Sequence, residues 1–156
     1  MNIFVSMEGF QIGRAFIPKE VTILSEGEEW KHFLFLPPTM VLSSIDHRTI
    51  RHATRNLHQL TWTDGDVPYS MLYPILTKFR DSTVYTYGSS TTNFLKEALP
   101  TSVIVDVQKE GFEMPGILFK RCCFSTHDAR QCSLVKAHAV KEFTFTGLTS
   151  DITPEI

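Results

Sequence analysis

The order in which the hydrophobic period changes along this chain constrains its fold more than any other feature. Residues 1–10 are rich in β-formers (Ile3, Phe4, Val5), Gly9 punctuates the run, and residues 11–24 resume it with Phe16, Ile17, Val21 and Ile23. Residues 25–29, SEGEE, form a polar turn, and residues 30–36, WKHFLFL, read as a third strand stopped by Pro37 and Pro38. Three consecutive strands imply an antiparallel meander. Strict alternation with Val21 and Ile23 puts Glu20 on the solvent side of its strand.

The period then lengthens. Ser44 and Asp46 offer N-caps, and Ile45, Ile50, Ala53, Leu57 and Leu60 recur at helical intervals, predicting a helix through His58. After the loop at residues 63–68, TDGDVP, residues 69–79 place Met71, Leu72, Ile75, Leu76 and Phe79 on one helical face, which accommodates Pro74 only in its first turn or at a kink. Residues 83–87, TVYTY, are a strand. Gly88 and the Ser-Ser-Thr-Thr run cap a short helix over residues 93–98, Pro100 ends it, and residues 103–107 complete a β-α-β unit. Residues 108–121 read as a loop, residues 129–143 as a final helix, and residues 144–156 as a frayed tail. The expected architecture is α/β: a three-strand antiparallel meander extended by parallel strands into a mixed sheet flanked by helices. It forms a single domain over residues 1–145, followed by a C-terminal tail over 146–156.

Size and charge narrow the function classes. At 156 residues, 42% of them hydrophobic, the chain can bury one proper core. Its longest apolar run, residues 33–38, falls far short of the roughly 20 residues that cross a bilayer. The N-terminus lacks a signal-peptide pattern, so the chain reads as intracellular, with no membrane partner. A formal charge of -2 gives no global attraction to nucleic acid, leaving a local patch as the only route. Residues 47–58, HRTIRHATRNLH, supply one, with Arg48, Arg51 and Arg55 as candidate phosphate contacts; the same pattern suits a solvated helix face.

Residues 122–143, CCFSTHDARQCSLVKAHAVKEF, hold all three cysteines. An odd count with Cys122 and Cys123 adjacent is no disulfide framework. Cys123, His127 and Cys132 lie within one loop and the first turns of the last helix. Thiol and imidazole ligands suit a soft divalent ion, and zinc is the candidate. A tetrahedral structural site then needs a fourth ligand from elsewhere in the chain. Two other readings stand beside it. The cysteines are small buried hydrophobes, or Cys123 or Cys132 forms a thiolate–imidazolium pair with His127 or His138, without any sequence sign of an oxyanion hole.

The element order resembles the RNase H-like fold of the DEDDh exonucleases, whose motifs are Asp-x-Glu in the first strand, Gly-x4-Asp in the middle and His-x4-Asp at the last helix. Ser6-Met7-Glu8 is similar to the first motif with its Asp replaced. Residues 87–95, YGSSTTNFL, are similar to the second with Asn93 in place of Asp, and residues 127–132 to the third with Cys132 in place of Asp. That family holds two hard divalent ions on its carboxylates. With Ser, Asn and Cys at the other positions only Glu8 remains, so two-metal exonuclease chemistry is not expected.

The chain is also similar to the Maelstrom domain, in which this exonuclease fold carries a Glu-Cys-His-Cys zinc signature. Cys123, His127 and Cys132 resemble its Cys-His-Cys, and Pro18-Lys19-Glu20-Val21 resembles the Pro-x-Glu that bears its Glu. The resemblance implies zinc on Glu20, Cys123, His127 and Cys132, with Glu8 as the competing fourth ligand and Cys122 as the competing thiol. It further implies association with RNA or another single-stranded nucleic acid, leaving open weak ribonuclease activity that bypasses the usual carboxylates. An expectation of a different class is a non-catalytic protein-interaction module or host-factor antagonist of viral or mobile-element origin.

Overall fold

In the computed structural model, which describes residues 1–27, 29–112 and 133–152, the first two β-type runs form one long hairpin. Strand β1 (Asn2–Ile12) pairs antiparallel with β2 (Ala15–Ser25). The turn falls at Gly13, whose φ of 60° suits the first position of a two-residue hairpin turn. Gly9, read from sequence as the break, instead lies inside β1. It sits at a register shift where Glu8 faces Glu20 and Gly9 faces Pro18, leaving Lys19 as the extra residue of a β-bulge. A Cβ on Gly9 would lie 2.2 Å from the Ile17 carbonyl oxygen, so glycine serves a close approach of the strands there.

Strand β3 (Trp30–Leu34) adds antiparallel to β2, and β4 (Thr83–Thr86) and β5 (Val103–Asp106) extend the other side in parallel. The order is β3-β2-β1-β4-β5. The chain thus adopts an α/β arrangement with a mixed sheet, a three-strand meander plus parallel strands, flanked by helices.

Alternation along β1 distributes the helices. Ile3, Val5 and Met7 point into a core with Leu72, Ile75 and Leu76 of α2 (Leu72–Thr77) and Leu95 of α3 (Ser89–Ala98). The other face carries Phe4 against Ala137 and Val140 of α4 (Ser133–Ile152), and Phe10 and Ile12 against Ile50 and Ala53 of α1 (Ser44–Asn56). Both faces are therefore covered, a three-layer sandwich. Phe4 is wholly buried and stacks on Tyr85 at 5.4 Å between centroids.

Local chemistry sets the helix ends. The N-cap of α1 is Ser43: its hydroxyl accepts from the Asp46 amide and Asp46 Oδ2 accepts from the Ser43 amide, a capping box in which Asp46 is the return acid. The helix ends at Asn56, short of His58 and Leu60, which turn inward beside the positive φ of Gln59. A 3-10 turn over Tyr69–Met71 leads into α2, and Pro74 falls in its first turn, where its missing N–H costs nothing. In α3 the Ser-Ser-Thr-Thr run forms the first turn itself, following Gly88. Thr92 Oγ1 donates to the Gly88 carbonyl at 2.6 Å and also meets Thr86 Oγ1 at 2.6 Å. Helix α4 continues to Ile152, through residues read from sequence as the start of a tail. Its buried positions Ser133, Ala137, Val140, Lys141 and Thr144 fall at the i, i+4, i+7, i+8 and i+11 places of one helical face and form the stripe laid on the sheet.

Candidate functional site

Between the apolar ends of the α4-covered face runs a polar strip. Glu8 and Glu20 are cross-strand partners in it, followed by Thr22 on β2 and His32 on β3. Glu20 is 0% exposed, against the solvent-facing placement that alternation suggested, because α4 covers the face opposite Val21 and Ile23. Its Oε1 accepts from the Ser133 amide at 2.7 Å, and its Oε2 lies 3.1 Å from His32 Nε2. Thr22 Oγ1 and Ser133 Oγ are 2.7 Å apart. The first amides of a helix lack intrahelical partners and sit at the positive end of its dipole. A carboxylate reaching them from β2 satisfies both demands, and His32 supplies the second partner that a buried charge requires.

Glu8 meets a different partner. Its Oε2 accepts from Lys136 Nζ at 2.8 Å, with both side chains largely buried. This pair borders a crevice that the strand pairing creates. Strand β4 follows β1 only from Asn2 to Phe4 and then departs into α3, so the later part of β1 has an open side. The resulting cavity of about 380 Å³ is lined by Glu8, Gly9, His58, Tyr87, Gly88 and Lys136, among others. It lies beyond the carboxyl ends of parallel strands where connections leave in opposite directions, the usual ligand position in open α/β sheets.

The groups there are held by structural bonds. His58, 2% exposed, lies with Nε2 2.9 Å from the Gly9 carbonyl and accepts from the Leu60 amide at Nδ1, which assigns the Nε2–H tautomer. Asp106 Oδ1 accepts from the amides of Gly88 and Gln108, pinning the end of β5 to the β4–α3 junction. Ser6, on β1 beside Glu8, is 6% exposed. Asn93 is exposed on α3 and lines a separate pocket, so it and Glu8 do not share one cavity. Sequence reasoning missed His32, His58 and Lys136. Each sits in a run whose apolar period fixed the element, and each meets a group on another element: Glu20 for His32, the Gly9 carbonyl for His58 and Glu8 for Lys136.

Arg48, Arg51 and Arg55 are all exposed. Their spacing of three and four residues sets them in one stripe on the solvent side of α1, opposite buried Ile50 and Ala53.

Lys19, the bulge residue, is 3% exposed, and its ammonium donates to the carbonyls of Trp62 and Asp64. Burial pulls its pKa from 10.5 down to about 8, against the opposing pull of Asp64. Between these values the unfolded chain holds a proton that the folded chain has released, so stability rises with pH across that window. Tyr69 acts oppositely: burial raises its phenol from 10.0 to about 12, so above pH 10 unfolding releases a proton and stability falls. Urea midpoints measured from pH 7.5 to 11.5 are expected to peak near pH 10. The rise from pH 8 should flatten in Lys19→Met, and an unchanged rise in that variant would refute the assignment to Lys19.

Cys122, Cys123, His127 and Cys132 lie outside the described residues. Ser133, which follows Cys132 in sequence, is the residue whose amide Glu20 holds. Among the described residues no three His, Cys, Asp or Glu side chains group as a metal site. No helix among them is long and apolar enough to cross a membrane. No family model matches the chain, and no curated protein or solved structure matches it either.

Proposed function

We propose that this chain is an RNase H-like, nuclease-derived domain whose metal–carboxylate chemistry has been lost, and that it associates with RNA through α1. The observation that carries the reading is the Glu8–Lys136 pair at 2.8 Å in the crevice beyond the ends of β1 and β4. Two-metal phosphodiester hydrolysis needs several carboxylates converging on hard cations. Here the carboxylate on β1 is neutralised by an ammonium of the chain itself, and the imidazole nearby is committed to backbone groups. The sheet order β3-β2-β1-β4-β5, with an antiparallel meander joined to parallel strands, supports the RNase H-like assignment.

Zinc belongs to the same proposal. Glu20, Cys123, His127 and Cys132 would hold it, with Glu8 and Cys122 as the competing ligands; four protein ligands close its coordination sphere and give it a structural role. Glu20 fits the part: its carboxylate is fully buried beside the residue that follows Cys132. Glu8 fits less well, since its charge is already matched by Lys136. Metal analysis of protein purified without a metal-affinity tag should find about one zinc per chain. Much less than that removes zinc from the proposal.

The nucleic-acid part is tested by affinity across a salt series. Three phosphate contacts on a single strand contribute about 2 to the slope of log affinity against log salt. Changing Arg48, Arg51 and Arg55 together to glutamine should flatten the slope by that amount and weaken binding to all sequences alike. A flat response in the unaltered protein favours the second reading, a protein-interaction module. That reading has its own support in the apolar side chains offered ahead of and within α1: Val41 is 97% and Ile45 66% exposed.

A further inference from the structure

A second pocket, of about 450 Å³, lies between the β1–β2 turn, the start of α2 and one side of α3. It shares Phe16, Ser89 and Ser90 with the Glu8 crevice, so the two adjoin across the first turn of α3. Its volume is in the usual range for small-molecule sites. Tyr73 and Phe94 line it with ring centroids 5.9 Å apart, inclined by 35°, and Phe16 packs edge-on against Phe94 at 6.4 Å. Phe94 is therefore held from two sides, while Tyr73 remains 48% exposed. An aromatic platform fixed by packing, with one ring open to solvent, is the arrangement on which nucleobases stack.

The polar groups around it are of opposite kinds. Arg14 comes from the hairpin turn; Asn93 and Glu97, four residues apart, come from one side of α3. All three are exposed, and among the described residues none of their side chains forms a hydrogen bond or ion pair. A guanidinium and a carboxylate thus line one pocket without neutralising each other. A ligand that matches them carries an anion for the first and adjacent N–H donors for the second. Guanine supplies such donors in its N1–H and N2 amino group, which suit the two oxygens of a carboxylate. Adenine and cytosine offer only their amino group there and uracil a single N–H. Phosphate suits Arg14.

We propose that this pocket binds a guanine nucleotide, with the base stacked on Tyr73 and read by Glu97, and the phosphate on Arg14. The nucleotide is either free or one unit of a single strand, and only the strand-borne form rests on the nucleic-acid reading above.

The test titrates GMP, AMP, UMP and guanosine into the whole chain, by calorimetry or by shifts of the aromatic NMR signals. GMP is expected to bind about tenfold more tightly than UMP. Arg14→Ala should weaken GMP by about tenfold and guanosine hardly at all, since a charge-assisted contact to phosphate is what it removes. Glu97→Gln should abolish the preference for GMP over AMP, and Tyr73→Ala should weaken every nucleotide. All three positions are exposed, so these variants are expected to keep the fold, checked by their urea midpoints. Absence of saturable binding by any nucleotide overturns the proposal, as does binding that ignores Tyr73→Ala and Arg14→Ala. A short guanine-containing RNA separates the sources. If it binds and loses affinity in Tyr73→Ala, the pocket takes a unit of a strand; if GMP alone binds, the pocket is a free-nucleotide site and the nucleic-acid reading fails. If the RNA binds, responds only to the α1 arginines and GMP does not bind, this inference fails and the nucleic-acid reading stands.

Discussion

Glu20→Ala is expected to lower the unfolding free energy by about 4 kcal/mol, the cost of removing a fully buried, hydrogen-bonded carboxylate together with the packing it provides. The substitution removes two contacts and opens a void. The Ser133 amide loses its acceptor at the exposed-dipole end of α4, His32 Nε2 loses its partner, and a side-chain-sized void opens under the helix. For a domain of this length the melting temperature should fall by about 10 °C. Glu20→Gln separates the contributions. It keeps a carbonyl oxygen for the Ser133 amide but removes the charge that the helix dipole and His32 favour, so about half the loss should remain. Thermal and urea unfolding followed by circular dichroism supply both numbers. A loss below about 1 kcal/mol for Glu20→Ala contradicts the account of Glu20 as the cap of α4. Repeating the comparison after treatment with a chelator tests the metal. If Glu20 also ligates zinc, the gap between wild type and Glu20→Gln should shrink once the ion is removed, because metal binding stabilises the native state only where the site is intact. If Glu20 only caps the helix, the gap should stay the same.

The sequence made the elements legible where one face of each element was apolar and the other polar. β2 and β3 followed from β-branched and aromatic runs, and the Pro74 helix from the position at which proline is tolerated. The two glycines of the first hairpin were not separable. Gly9 and Gly13 look alike in sequence, yet one faces a backbone carbonyl at 2.2 Å and the other has nothing within 4 Å of a Cβ. Close approach across strands is a tertiary quantity that no local pattern encodes. The same limit hid the polar strip. Glu20 alternates with Val21 and Ile23, which marks it as facing away from them, but whether that other face meets water or a helix depends on α4, more than 100 residues later. His58 reads as the end of a basic helix and is in fact an inward-turned imidazole between Gly9 and Leu60. Exposure of Arg48, Arg51 and Arg55, by contrast, was legible, because Ile50 and Ala53 fix the buried side of α1.

The second large effect concerns the bulge that these residues share. Gly9→Ala is expected to cost about 3 kcal/mol, at the upper end of ordinary overpacking. The obstruction is the Ile17 carbonyl oxygen at 2.2 Å and its carbon at 3.0 Å, which belong to the backbone of the paired strand and cannot rotate aside as a side chain would. Relief requires opening the pairing at the register shift, and three polar groups depend on that geometry. His58 Nε2 donates to the Gly9 carbonyl, the Lys19 ammonium is carried by the extra residue, and Glu20 resumes the register opposite Glu8. Gly13→Ala provides the contrast. It forces an alanine to φ of 60° in open space, so its cost should stay near 1 kcal/mol. His58→Phe alone should cost about 2 kcal/mol by leaving the Gly9 carbonyl and the Leu60 amide unpaired. In the double variant, the Gly9→Ala chain has already displaced the carbonyl that His58 holds, so the combined loss should fall short of the sum by about 1 kcal/mol. Strict additivity would separate His58 from the bulge. It would leave the imidazole as a local support for the turn after α1, with no part in shaping the crevice beside Glu8.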